Sequence, residues 1–76
     1  MLLPKNKVAF LRGIYPSGTR ILLHEMLEDP QPVEPGTKGT VVYVDDAGSI
    51  HMKWDNGRGL ALIPGVDQFE VISHAK

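Results

Sequence analysis

The chain of 76 residues contains no cysteine, which excludes disulfide staples and thiolate metal sites. No apolar run approaches the roughly 18 residues that a membrane helix needs. Its start, MLLPKNK, puts Leu2 and Leu3 ahead of the charges, the reverse of the order in a secretory leader. A soluble, cytoplasmic protein with no membrane partner is expected. Bulk charge is also lacking: 8 basic residues stand against 9 acidic ones, so nothing in the total favours nucleic acid.

What is present is one small domain, of a size that buries only about 60% of its unfolded surface. Without disulfides or a metal cluster, stability must come from packed aliphatic side chains or from association between copies. The charge is unevenly spread. Lys5, Lys7, Arg12 and Arg20 fall within residues 1–20 with no acid among them, and all nine acids follow.

The segment PKNKVAFLRGI predicts a short helix over residues 5–13, with Val8, Leu11 and Tyr15 on one face and Pro4 at its start. From Gly18 the pattern changes to strands. Strands are expected over residues 19–25, 37–45, 49–55, 59–63 and 68–72. EDPQPVEPG, residues 28–36, carries three prolines and reads as a long exposed loop of polyproline stiffness. Gly39 lies inside a strand and marks a bend or bulge. Asp55-Asn56-Gly57 is a tight-turn signal. Five short strands with this loop spacing define a mostly β, five-stranded SH3-like barrel with a short N-terminal helix. The rival OB-fold lacks room for its usual helix. Residues 1–17 form an arm, 18–73 the barrel and 74–76 a tail.

Together GTKGTVVYVDD, WDNG, LALIPG and FEVI resemble a family of small bacterial and phage domains of unknown function, over about residues 15–73. More distantly, the chain is similar to mind-bomb type SH3-like domains and to KOW segments. The resemblance implies the barrel fold and a mobile-element setting, and it supplies no catalytic residues.

The residues themselves offer little chemistry. His24, His51 and His74 show no ligand spacing, so no metal is expected. No nucleophile elbow or phosphate loop is present, and a barrel this small has no interior cavity. No enzyme and no cofactor are expected. The leading expectation is a protein-interaction module, self-association included, with Tyr15, Pro32, Pro35, Trp54 and Arg58 beside a groove. An alternative is an oligomer that holds a small anionic ligand between subunits. Arg12, Arg20, Lys53 and Arg58 then meet phosphates, and Tyr43 or Trp54 stacks on a base. A KOW-like nucleic-acid module is a third option, opposed by Asp45, Asp46 and Asp55 beside the few basic residues. Trp54 shares a face with Ile50 and Met52, which favours packing over ligand stacking.

Overall fold

The computed structural model describes residues 4–27 and 29–74; positions 1–3 of the arm, Glu28 in the loop and positions 75–76 of the tail lie outside the described residues. Among the described residues one helix, α1 (Lys5–Ile14), precedes four strands: β1 (Arg20–Glu25), β2 (Lys38–Val44), β3 (Ile50–Trp54) and β4 (Gln68–Ser73). They form one antiparallel sheet in the order β3-β2-β1-β4.

Helix α1 begins as its proline suggests. The Pro4 carbonyl accepts from the amides of Lys7 and Val8 at 3.0 and 3.1 Å. At the other end the Tyr15 N–H bonds back to the Leu11 carbonyl. Val8 is buried, and the half-buried Leu11 and Tyr15 pack on the core. The helix docks on β2 of its own chain. A ten-residue helix is marginal alone, so this contact is what holds it.

The strands alternate as expected, with Ile21 and Leu23 of β1 and Ile50, Met52 and Trp54 of β3 all buried. Alternation breaks in β2. Gly39 and Val41 face inward, but the next buried residue is Val44, because the pairing with β3 shifts between Val41 and Tyr43. This irregularity turns Val42 and Tyr43 outward in succession. The expected bend at Gly39 therefore has another explanation. A Cβ at Gly39 would lie 2.6 Å from Trp54 Cε3, so the position must be glycine to let the indole lie against the strand.

Four strands replace the five-stranded barrel expected, and the sheet is open. The segment 59–63 shrinks to one antiparallel bridge, in which Ile50 and Leu62 exchange both backbone hydrogen bonds at 2.8 Å. Elsewhere in the segment the chain is held without a ladder: the Trp54 indole N–H donates to the Leu60 carbonyl at 2.8 Å, and the Trp54 amide to the Arg58 carbonyl at 3.0 Å.

The proline-rich loop is not simply exposed, either. Met26 just before it and Val33 within it are buried in the core and anchor it. Glu34 to Thr37 form a turn closed by a 3.2 Å bond from the Thr37 N–H to the Glu34 carbonyl. Pro35 fixes the second position, and Gly36 supplies the positive φ of 87° that a type II turn requires at the third. Asp67, also buried, accepts from the amides of Leu27 at 3.2 Å and Ile63 at 2.9 Å, joining the loop after β1 to the turn before β4.

Two glycines without a positive φ, Gly39 and Gly13, separate steric from conformational effects. Gly39→Ala is expected to lower stability in urea unfolding by about 1–3 kcal/mol, through overpacking against Trp54. Gly13→Ala, in the helix with open space around it, should raise stability by about 0.4–1 kcal/mol. Equal effects at both positions would sink the steric account of Gly39.

Candidate functional site

The β2 irregularity builds the surface of interest. Val42 and Tyr43 stand 46% and 53% exposed on the outer face, opposite the chain that leaves α1. Between them runs an open groove of about 170 Å³, lined by Arg12, Tyr15, Pro16, Ser17, Val42, Tyr43 and Val44. Its lining is predominantly apolar and aromatic. The volume falls below the roughly 300 Å³ at which small-molecule pockets begin, and suits one or two side chains of an extended segment.

Each wall is held by its own contacts. Tyr15 packs against Phe69 of β4, with ring centroids 5.7 Å apart and planes at 59°. Tyr43 stacks on its cross-strand partner His51, with centroids 4.3 Å apart and planes only 4° from parallel. His51 Nε2 lies 2.7 Å from Asp45 Oδ2, while Asp45 Oδ1 accepts from the amides of Ala47 and Ser49 at 2.9 Å each. Tyr43 is thus backed by a braced imidazole. Arg12 spans the rim, its Nε donating to the Val44 carbonyl at 3.0 Å and its Nη2 to Asp46 Oδ1 at 2.9 Å.

The structure divides the residues expected to form one site. Tyr15 and Tyr43 meet in the groove. Pro32, Pro35 and Arg58 lie at the opposite end of the β1–β2 pair, because residues 15–17 precede β1 where β2 finishes and the loop joins their other ends. The Pro-rich loop does not flank the groove. Arg58 secures that loop, with Nη2 donating to the Gln31 carbonyl at 2.6 Å and Nη1 to the Pro32 carbonyl at 3.2 Å. Arg20 forms a two-point pair with Asp55, at 2.8 and 2.7 Å, and also donates to Thr40 Oγ1 at 2.9 Å. Lys53 is exposed on β3, opposite Thr40. Trp54 is 1% exposed, so it packs in the core and offers no face to a ligand.

These internal commitments weigh on the anionic-ligand alternative. Arg12, Arg20 and Arg58 already serve carboxylates or carbonyls of their own chain. Among the described residues, no group of three or more histidine and acidic side chains is placed to hold a metal ion. His24 instead pairs with Glu70 at 2.9 Å. No described helix is long and apolar enough to cross a membrane.

Pro16, Val42, His51 and Asp45 were not named as site residues by the sequence. The Tyr43–His51 pairing follows from strand register, once the shift after Val41 is known. Nothing in the local composition signals that shift.

The geometry defines a small β-rich domain of one short helix and one open antiparallel sheet, with a surface groove where the helix meets β2. The chain belongs to the DUF4314 family, a domain of unknown function, whose pattern matches residues 4–72. No curated protein and no solved structure matches it.

Two carboxylates, Asp55 and Asp45, are held below the ordinary aspartate range by their partners. The Arg20 guanidinium bonded to Asp55 lowers that carboxyl below the ordinary aspartate value, and the His51 hydrogen bond lowers Asp45. A depressed folded value means that the stabilisation is complete above the unfolded value of about 3.9 and is lost as pH falls through the lower folded values. Unfolding free energy should therefore be level from neutral pH to about 5 in these two groups and decline below about 4. Asp55→Asn should flatten part of that decline. An unchanged acid profile in the variant would show that the Arg20 pair does not contribute.

Proposed function

We propose that this domain is a non-catalytic protein-interaction module, of SH3-like construction, that receives an extended segment of a partner protein in the Tyr15–Tyr43 groove. The observation that carries the reading is the groove itself. Two tyrosines, Pro16 and Val42 form its walls, with Arg12 at the rim. Apolar aromatic grooves of this kind suit stiff, proline-containing segments, which lose little entropy on docking. Rigid aromatic side chains also supply contact area at low entropic cost.

Support for the SH3-like construction comes from strand order. Adding the Ile50–Leu62 bridge to the sheet places the 59–63 segment beside β3, giving a meander with β4 returning beside β1. The setting in a phage or mobile element, within the cytoplasm, belongs to the same proposal and rests on the sequence pattern.

The test is a nuclear magnetic resonance titration with a library of proline-containing peptides. Binding should shift ring signals of Tyr15 and Tyr43, and Tyr43→Ala should weaken it about tenfold or more, as loss of an aromatic anchor does. Binding that leaves both tyrosines unmoved, or survives Tyr43→Ala undiminished, would overturn the assignment.

A further inference from the structure

We propose that Asn56 is a site of spontaneous covalent modification, converting to isoaspartate when the turn after β3 opens, and that this conversion releases the proline-rich loop from Arg58. The inference is independent of the groove.

Two neighbouring residues set the chemistry. Asn56 and Gly57 are both exposed. Asn56 Oδ1 accepts from the Arg58 amide at 3.0 Å, which folds the carboxamide back across the Gly57 peptide. Gly57 has no side chain to obstruct its own nitrogen, and a Cβ placed there would meet nothing within 4 Å. Carboxamide and nucleophile are therefore close and unshielded. The chain's other asparagine, Asn6, precedes Lys7, which carries a side chain beside the attacking nitrogen.

The reaction balances with water alone. Hydroxide takes the proton of the Gly57 N–H, and that nitrogen attacks Asn56 Cγ. The new N–Cγ bond closes a succinimide ring. The Cγ–Nδ2 bond then breaks, and ammonia leaves with a proton from water, which restores the hydroxide. Water opens the ring at either carbonyl. Cleavage on the Cγ side gives aspartate. Cleavage on the other side gives isoaspartate, with the main chain routed through Cγ and the former backbone carbonyl carbon left as a free carboxylate. The net change consumes one water and releases one ammonia.

Folding latches this reaction. The Gly57 N–H donates to the Trp54 carbonyl at 2.9 Å, and the Trp54 N–H to the Arg58 carbonyl at 3.0 Å. The Gly57 nitrogen gives up its proton only when the first of these bonds opens, so the fraction of open turns sets the rate. The outcome reaches the loop through Arg58. Isoaspartate adds one carbon to the main chain ahead of Gly57, and the lengthened turn no longer keeps both closing bonds. Arg58, directly after it, moves off the Gln31 and Pro32 carbonyls that it holds at 2.6 and 3.2 Å. Aspartate lengthens nothing and leaves Arg58 in place.

Incubating the full chain at mildly alkaline pH and mapping its peptides by mass spectrometry tests the site. Electron-transfer fragmentation tells isoaspartate from aspartate. Conversion is expected at Asn56, with Asn6 intact. Chain unfolded in urea should convert about tenfold or more faster than folded chain, because every molecule is then open. No excess of conversion at Asn56 over Asn6, or equal rates in folded and unfolded chain, overturns the proposal.

Release of the loop is read from the amide signals of Gln31 and Val33 by nuclear magnetic resonance. The isoaspartate form should shift them as Arg58→Ala does. Asn56→Asp, with the same added charge and an unaltered main chain, should leave them in place. Arg58→Lys, which cannot fork onto two carbonyls, replaces Arg58→Ala should that variant fail to fold. Loop signals unmoved in the isoaspartate form, or moved equally by Asn56→Asp, overturn the coupling to the loop.

Discussion

The indole of Trp54 lying against the bare backbone of Gly39 is the contact on which the rest of the molecule depends. In a domain this small, one tryptophan supplies a large share of the apolar surface that can be buried. It can do so only because its β2 partner has no side chain. The same ring then acts beyond the core. Its N–H holds the Leu60 carbonyl, which brings the returning chain back along β3 and sets Leu62 opposite Ile50. One residue thus joins the two strands of the β2–β3 hairpin to the segment that follows them.

Around this centre, closure relies on side chains that bind backbone. Asp67 gathers two amides from segments far apart in sequence, Arg58 gathers two loop carbonyls, and Arg12 takes the carbonyl of Val44. An open sheet leaves many connecting segments without ladder partners, and these bonds satisfy them. No buried side-chain nitrogen or oxygen among the described residues is left without a partner. Charge here serves architecture first, and the arginines are largely committed to it.

Much of this was legible in the sequence. The period-2 pattern of IHMKW gave the buried face of β3 and the packing of Trp54, and the Pro-to-Gly span gave the helix within a residue at its end. The fifth strand was not, because GLALI has strand composition and nothing local reveals that only Leu62 pairs, while Leu60 is held by a side chain. Val33 was missed for a similar reason, as a single apolar residue among prolines and acids has no periodicity to declare its burial. The groove fared between the two. Tyr15 and Tyr43 were singled out, but their meeting depends on the shift after Val41, a property of paired strands rather than of either sequence. Pro32 and Pro35 were placed beside them by chemistry alone, and topology puts these prolines at the far end.

The sheet's order has a consequence for how the chain acquires its structure. Strand β1 sits between β2, which follows after one loop, and β4, whose Ser73 pairs with Arg20 and whose Gln68 pairs with Glu25. During synthesis β1, β2 and β3 emerge together, yet β1 keeps one hydrogen-bonding edge bare until almost the whole domain has left the ribosome. Joining ends so distant costs loop entropy before contacts repay it. For that interval Ile21 to Leu23 present an apolar template to any neighbouring strand, and β4, on arriving, acts as the chain's own chaperone.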